Sequence, residues 1–258
     1  MLADTEACQQ MAAILRAAKP HSVVFFGGAG VSTESGIPDF RGSGGLYQAG
    51  YTTDVPPETI LHVRYFAKYP DRFYAYYRAH MLYPHARPHA AHYALSKLEA
   101  MGKLSAVITQ NIDGLHQAAG SKHVFELHGS TLRNYCVDCG REYGLEAITA
   151  TEEEVPHCST CGGMIRPDVV LYGEPLDGQL WFAAEKAIRM ADVMIVGGTS
   201  LTVMPAADMV TDFHGSHLII INQTPTPYDH LAEMIIREPI GKVFCRVMDE
   251  MESNLTQK

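Results

Sequence analysis

VVFFGGAGVSTESGIPDFRG, the stretch from Val23 to Gly42, decides how the rest of the chain is read. Val23-Val24-Phe25-Phe26 is an unbroken β-branched and aromatic run, the pattern of a strand buried on both faces. It breaks directly into Gly27-Gly28-Ala29-Gly30, where the missing Cβ lets the backbone approach a ligand and take φ > 0. Ser32, Thr33 and Ser35 follow, small hydroxyls that cap a helix or bond a phosphate. Gly28 and Gly30 fit the start of a dinucleotide fingerprint. Thr33 stands where its third glycine would be, so taken alone the pattern also suits a plain tight turn. Asp39, Phe40 and Arg41 come next in a row on a loop. They offer an acid for a ribose hydroxyl, a ring to cover a flat ligand and a guanidinium for an anion. A solvated surface loop accounts for Asp39 and Arg41 but not for Phe40.

Outward from this turn, strand-like runs alternate with helical periodicity. A helix is expected over Thr5–Ala18, with Cys8, Met11, Ile14 and Leu15 on its apolar face, and Cys8 as a core side chain. Another is expected over Ala90–Met101, with Tyr93, Ala94, Leu95 and Leu98 on its apolar side. Strands are expected at Ala106–Thr109, Val124–Leu127, Asp192–Val196 and Leu218–Ile221, with a strand and its polar exit within Arg166–Glu174, and a short strand and a helix between Ile235 and Met251. Polar residues cluster just past the strand ends: Gln110, Asn111 and Asp113; His128; Gly198, Thr199 and Ser200; and Asn222. In an open α/β sheet that is where ligands bind. An Asx cap would explain one of Gln110, Asn111 and Asp113 but not all three. His128 suits a general base, although a lone histidine is often structural. The alternation argues for a mostly parallel, doubly wound sheet.

Between Gly44 and Pro84 tyrosines and phenylalanines crowd two helical stretches, near Glu58–Lys68 and Asp71–Met81. Such a stripe is core or a helical flap packed by its rings. His85, His89 and His92 look like a metal set, but Pro88 starting a helix is the simpler reading. Cys245 reads as buried and inert.

Cys136-x2-Cys139-x18-Cys158-x2-Cys161 takes up four of the six cysteines. Paired knuckles aim four thiolates at one tetrahedral ion, and four soft sulfurs suit zinc with no open coordination position, so the site reads as structural. Iron–sulfur is the remote alternative, His157 a bystander, and Thr151–Glu154 an acidic surface loop.

The 258 residues are 47% hydrophobic and 19% charged, a globular composition. A net charge of −9 argues against nucleic-acid binding through phosphates. No run is long and apolar enough for a transmembrane helix, and the N-terminus has no signal-peptide pattern, which points to the cytoplasm.

Taken together, GAGVSTESGIPDFRG, TQNIDGLH, ELHGS, the two knuckles, GGTS and a strand ending in Asn222 resemble, in order and over almost the whole chain, the sirtuins, NAD-dependent protein deacylases. The resemblance implies an α/β fold: a Rossmann-like doubly wound parallel sheet from residues 1–42, 85–130 and 166–258. A smaller domain would be formed by a helical insertion over 43–84 and a zinc-ribbon insertion over 131–165. It implies NAD contacts from Gly28, Ala29, Gly30, Ser32, Thr33, Asp39, Phe40, Arg41, Gln110, Asn111, Ile112, Asp113, His128, Gly198, Thr199, Ser200, Asn222 and Ile240. Asn111, Ile112 and Asp113 would line the nicotinamide pocket. His128 would be the general base, with Asn111 as its catalytic companion. Val170, Tyr172, Gly173, Glu174 and Val203 would receive an acetylated-lysine peptide as an added strand. Structural zinc would sit on Cys136, Cys139, Cys158 and Cys161. The implied reaction moves the acetyl group to ADP-ribose and releases nicotinamide. The protein would act as a monomer, without membrane or nucleic-acid partners.

Sirtuins that favour succinyl or malonyl groups resemble one another in a Tyr-x-x-Arg pair on the helical insertion. Counted from Tyr74, the arginine slot here holds Tyr77, and Arg78 falls one residue late. One residue turns a helical side chain by about 100°. Deacetylation is therefore expected, with longer neutral acyl groups tolerated and desuccinylation absent. The competing readings are mono-ADP-ribosyl transfer, a non-catalytic NAD-responsive zinc protein and an NAD-linked dehydrogenase. Against the last stand Thr33 in place of the third glycine and Asn222 in place of an acid.

Overall fold

A computed structural model of the chain describes residues 4–40, 42, 45–47, 55–151 and 153–253. The strands are β1 Val23–Gly27, β2 Leu104–Thr109, β3 Val124–Glu126, β4 Gly129–Cys136, β5 Glu142–Tyr143, β6 Ile165–Val169, β7 Val193–Gly197, β8 His217–Ile221 and β9 Met234–Ile236. The helices are α1 Asp4–Ala17, α2 Pro57–Ile60, α3 Val63–Lys68, α4 Pro70–His80, α5 Ala90–Ala100, α6 Leu115–Ala118, α7 Glu146–Thr149, α8 Gly178–Arg189 and α9 Ile240–Ser253.

Six strands form one parallel sheet in the order β3-β2-β1-β7-β8-β9, and β5-β4-β6 form a separate antiparallel sheet. Successive side chains of a strand point to opposite faces, so the buried run in β1 serves two cores. Phe25 faces α1, α5 and α9, in a cluster with Met11, Leu95 and Phe244. Phe26 faces α8, in a cluster with Ile188, Val196 and Met209. This is the doubly wound sheet that the alternation predicts.

Register positions the site. Gly27 pairs with both Thr109 and Gly197, and Gly197 pairs with Ile221. Four strands, β1, β2, β7 and β8, therefore run out at the same level. One residue further on, Gln110 N–H donates to Gly27 C=O at 2.9 Å and Gly198 N–H donates to Ile221 C=O at 3.0 Å.

The aromatic segment packs on the ribbon. Phe66, Phe73, Tyr74, Tyr76 and Tyr77 share a cluster with Cys136, Ile148, Cys158 and Ile165. Phe73 meets Phe66 edge-on at 4.7 Å and stacks on Tyr77 at 5.4 Å. Each such ring stabilises by roughly 1.5–3 kcal/mol through burial, and each pair adds about 0.5–1.5 kcal/mol. Core and cover coincide here, because Tyr77 also lines the cleft described below.

Several local expectations need correction. The helix expected over Glu58–Lys68 is two helices, α2 and α3. Between them His62 is extended (φ −94°, ψ 139°), and its side chain accepts from Arg64 N–H. Leu61 C=O and Val63 N–H pair with Tyr172, and this tertiary pairing overrides the helical period. Tyr93 is 53% exposed; α5 buries Ala91, His92, Ala94, Leu95 and Leu98 instead. Cys245 is exposed rather than buried, because α9 turns Val243, Phe244, Val247, Met248 and Met251 inward. His89 caps α5, and His92 closes the reciprocal capping box. In the acidic loop, Glu152 lies outside the described residues. The carbonyls of Glu153 and Glu154 accept hydrogen bonds from Arg78. No described helix is long and apolar enough to cross a membrane.

Candidate active site

A cavity of about 750 Å³ opens over the carboxyl ends of β1, β2 and β7. That volume lies within the usual range for small-ligand sites, about 300–1,000 Å³. Its base is two interlocked glycine turns. Gly30 N–H donates to Gly198 C=O at 2.8 Å. A Cβ on Gly30 would lie 2.8 Å from that oxygen, and one on Gly198, whose φ is +56°, would lie 2.3 Å from Val31 N. Only glycine allows this approach and this φ. After β1 the chain makes two 3₁₀ turns, Ala29–Val31 and Thr33–Ser35, so the turn presents backbone to the cavity without an α-helix N-terminus. Gly28, Ala29, Gly30, Ser32 and Thr33 line the cavity from this side, and Gly198, Thr199 and Ser200 face them.

The β2 exit supplies a linked polar set. Ser32 Oγ donates to Asp113 Oδ2 at 2.7 Å, Asn111 Nδ2 donates to Ser32 Oγ at 3.1 Å, and Leu115 N–H donates to Asp113 Oδ1 at 2.8 Å. Burial nevertheless pushes the Asp113 carboxyl above its ordinary value, outweighing these donors. A further donor from a ligand would be drawn to it. Gln110 Nε2 donates to Thr199 Oγ1 at 3.2 Å and so joins β2 to the β7 turn. Ile112 lines the same wall.

His128 sits in the two-residue joint between β3 and β4. Its Nδ1 is 2.9 Å from the Gln110 carbonyl, which can only accept, so Nδ1 carries the proton and Nε2 keeps its lone pair. Burial lowers the imidazole pKa by more than the Gln110 contact raises it. The result is a neutral imidazole of fixed tautomer on the wall of the cavity, the arrangement of a general base.

At the far end, Asn222 Nδ2 donates to Thr224 C=O at 2.8 Å, and Arg237 holds the loop through the Asn222 and Thr224 carbonyls at 2.9 Å each. Ile240 is buried against Gly197, where a Cβ would lie 2.4 Å from Ile240 Cδ1. Asp39 accepts from Gly42 N–H at 2.8 Å, so its carboxylate closes its own loop. The Phe40 ring meets Tyr47 at 5.5 Å. Arg41 lies outside the described residues. Val170, Tyr172, Gly173, Glu174 and Val203 line the remaining wall with Asp39, Phe40, Asn222 and Ile240. Tyr172 N–H and C=O are both engaged, by Leu61 and Val63, and Glu174 is paired with Arg166.

The cavity thus gathers every described residue of the expected cofactor and peptide sets. It also takes in His80, Arg87, Gln223, Thr224 and Glu238, which motif reading missed. Arg237-Glu238-Pro239 just before Ile240 was a signal that could have marked the last of these.

Apart from the cavity, Cys136, Cys139, Cys158 and Cys161 bring four sulfurs within 4.8 Å of one another. Cys136–Cys161 and Cys139–Cys158 are 3.4 and 3.7 Å apart. Zinc–sulfur bonds of about 2.3 Å give a tetrahedral edge of roughly 3.8 Å, so the set fits zinc. The knuckles are built alike: Gly140 N–H donates to Cys136 C=O and Gly162 N–H to Cys158 C=O, both at 2.9 Å. Tyr143 O–H supports the Cys158 sulfur at 3.1 Å.

Comparison with known proteins agrees with this geometry. The Sir2 family model matches residues 28–205. An NAD-dependent protein deacetylase of Clostridium acetobutylicum is 52% identical over 226 residues, covering 88% of this chain and 92% of its own. A solved complex of Sir2 with a p53 peptide and NAD+ superposes with a TM-score of 0.83 at 37% identity, covering 95% of this chain and 98% of its own. A Sir2 structure bound to a propionylated peptide gives a TM-score of 0.82 at 36% identity, with 94% and 97% covered.

Proposed function

The chain belongs to the Sir2 family, and from that premise we propose that it is an NAD-dependent protein-lysine deacetylase. Acetyl-lysine, NAD and water become lysine, nicotinamide and O-acetyl-ADP-ribose. The acyl carbonyl oxygen would replace nicotinamide on the ribose carbon, a ribose hydroxyl would bond the acyl carbon, and water would restore the acyl oxygen as the amide C–N bond breaks to free lysine. NAD supplies the leaving nicotinamide and the hydroxyl that takes the acyl group. The residues present suit it: two glycine turns with no room for a Cβ, a buried Asp113 able to receive an amide, and Asn222 at the strand end.

The observation that carries the reading is His128 in the same cavity as both turns, its Nδ1 held by Gln110 and its Nε2 without a hydrogen-bond partner among the described residues. Nε2 takes the proton from the ribose hydroxyl. Asn111 and Asp113 orient the nicotinamide end through Ser32, and Phe40 shields it from water. Gly28, Ala29, Gly30, Thr33, Arg41, Thr199 and Ser200 hold the phosphates and riboses, and Ile240 bounds the adenine side. The acylated lysine enters along Val170, Tyr172, Gly173, Glu174 and Val203. Cys136, Cys139, Cys158 and Cys161 hold structural zinc, which keeps the ribbon and the helical insertion together as one small domain over 43–84 and 131–165.

Longer neutral acyl groups are accepted, and succinyl groups are not. In support, all three Arg78 nitrogens are spent on carbonyls, of Ile148, Glu153 and Glu154, at 2.9 Å each. A cytoplasmic monomer that does not bind nucleic acid completes the proposal, supported by the net charge of −9 and the four thiolate ligands. The test is nicotinamide release from NAD with and without an acetyl-lysine peptide, followed by mass spectrometry of the peptide. Release that needs the peptide and removes its acetyl group supports the reading. Release without it, or ADP-ribose found on protein, means that NAD binds but the acceptor is wrong.

A further inference from the structure

Just behind one wall of the cavity lies a buried polar atom that the proposed mechanism does not use. Tyr77 is fully buried in α4, and among the described residues its hydroxyl has no hydrogen-bond partner. Neutral phenols are rarely left so, because an unmet buried hydroxyl forfeits its bond to water. Its neighbours are already committed. The Tyr74 hydroxyl donates to Ile165 C=O, and Arg78 is held by its three carbonyls. Around Tyr77 this arm of the cavity is apolar. Leu61, Met81, Ile112 and Val169 line it and belong to the same hydrophobic cluster. Burial holds the phenol far above its ordinary pKa range, so it stays protonated and can both donate and accept.

We infer that the Tyr77 hydroxyl selects acyl-lysines whose acyl chain is short, uncharged and hydroxylated, taking a 3-hydroxybutyryl group in preference to a butyryl group of the same length. This rests on the deacylase reading above and narrows its substrate class. A methyl-terminated chain fills the apolar arm but leaves the phenol unpaired. A chain hydroxyl fills the arm and pairs with it. A terminal carboxylate could also accept from the phenol, but the three nitrogens of Arg78, the cation next to Tyr77 in α4, are already held by carbonyls, so burying its charge is costly. Met81, one turn on from Tyr77 and on the same wall, is the flexible side chain that yields to let the chain in.

The experiment uses the full chain, NAD and one peptide carrying in turn acetyl-, butyryl-, succinyl- and each enantiomer of 3-hydroxybutyryl-lysine, with kcat/KM read from nicotinamide release. One recovered neutral hydrogen bond predicts that one hydroxybutyryl enantiomer exceeds butyryl by about five- to ten-fold. In Tyr77→Phe the ratio of those two substrates, measured within the one enzyme, falls to about one. The ratio is internal, so a change in overall activity does not disturb it. A thermal melt at or above that of the parent confirms that the variant is folded, since it loses a buried unpaired hydroxyl. The inference is overturned if butyryl matches both enantiomers in the parent, if the preference survives in Tyr77→Phe, or if succinyl is processed as well as hydroxybutyryl. Failure on the acetyl peptide as well would instead sink the deacylase reading, and this inference with it.

Discussion

The four-sulfur cluster and the cavity are assembled in opposite ways. The sulfurs of Cys136 and Cys161 meet across only 25 residues of chain. Each knuckle is shaped by its own backbone hydrogen bonds. The cavity draws on residues from Gly28 to Ile240, brought level by the parallel register of β1, β2, β7 and β8. In the first region spacing along the chain aims the groups, and the stabilisation is concentrated in one ion. In the second, long-range pairing aims them, and each contact is small. Chemistry should therefore be removable without loss of the ribbon, whereas loss of the ribbon should take the chemistry with it, because the aromatic segment packed on the ribbon also lines the cavity.

The largest effect should come from the cluster. Metal binding contributes roughly 10–16 kcal/mol in zinc-finger peptides, comparable with a whole domain's stability of about 5–15 kcal/mol. Chelation or Cys136→Ser should abolish peptide-dependent nicotinamide release and the near-ultraviolet signal of the aromatic cluster. The far-ultraviolet signal of the six-stranded sheet should persist. Full activity after metal removal would break the comparison.

His128→Ala should be the converse. We expect kcat to fall by about 10²- to 10⁴-fold, the usual contribution of a general base, with metal content and the aromatic signal unchanged. Loss of the metal signal as well would show that base and ribbon are one unit.

Gly198→Ala should act on both binding and stability. A left-handed alanine costs about 1–2 kcal/mol, and its Cβ would press on Val31 N. At about 2–4 °C per kcal/mol for a chain of this size, the melting temperature should drop by several degrees. KM for NAD should rise well above that of the parent, while KM for the peptide changes little.

The smallest effects concern pH. The His128 pKa lies below the ordinary 6.5, so the acid limb of kcat/KM should have its midpoint under pH 6.5. Beneath the cavity, burial lowers His92 to about 2 and His116 to about 4. The unfolded chain then binds protons that the folded one refuses. This contribution to stability is complete above pH 6.5 and is lost as pH falls through the range from 6.5 towards 4 and below. His116→Phe should flatten that part of the melting-temperature profile. An unchanged slope would show that these imidazoles are not the groups responsible.

Legibility followed the same division. Both knuckles were readable because C-x2-C needs only local geometry. The β1 turn was readable because a buried run breaking into glycines has few other uses. Tyr93, Cys245 and the His62 break were misread for one reason: periodicity reports the character of a face but not which neighbour covers it. Tyr93 follows an apolar pattern yet meets solvent, and the helix at His62 stops because Tyr172 pairs there. Tyr77 could be placed on its helix from its spacing, but its unpaired hydroxyl could not be foreseen.

The amino-acid sequence by itself determined the alternation of strands and helices, the four-cysteine metal set and the polar residues at each strand end, because these follow from residue type and short spacing. Tertiary structure alone decided that Gly27, Thr109, Gly197 and Ile221 stand level, that the Gln110 carbonyl fixes the His128 tautomer, and that Arg78 is spent on the ribbon. Each of these joins residues far apart in the chain. The free energy that holds them together comes from packing and hydrogen bonds that exist only once the chain has folded.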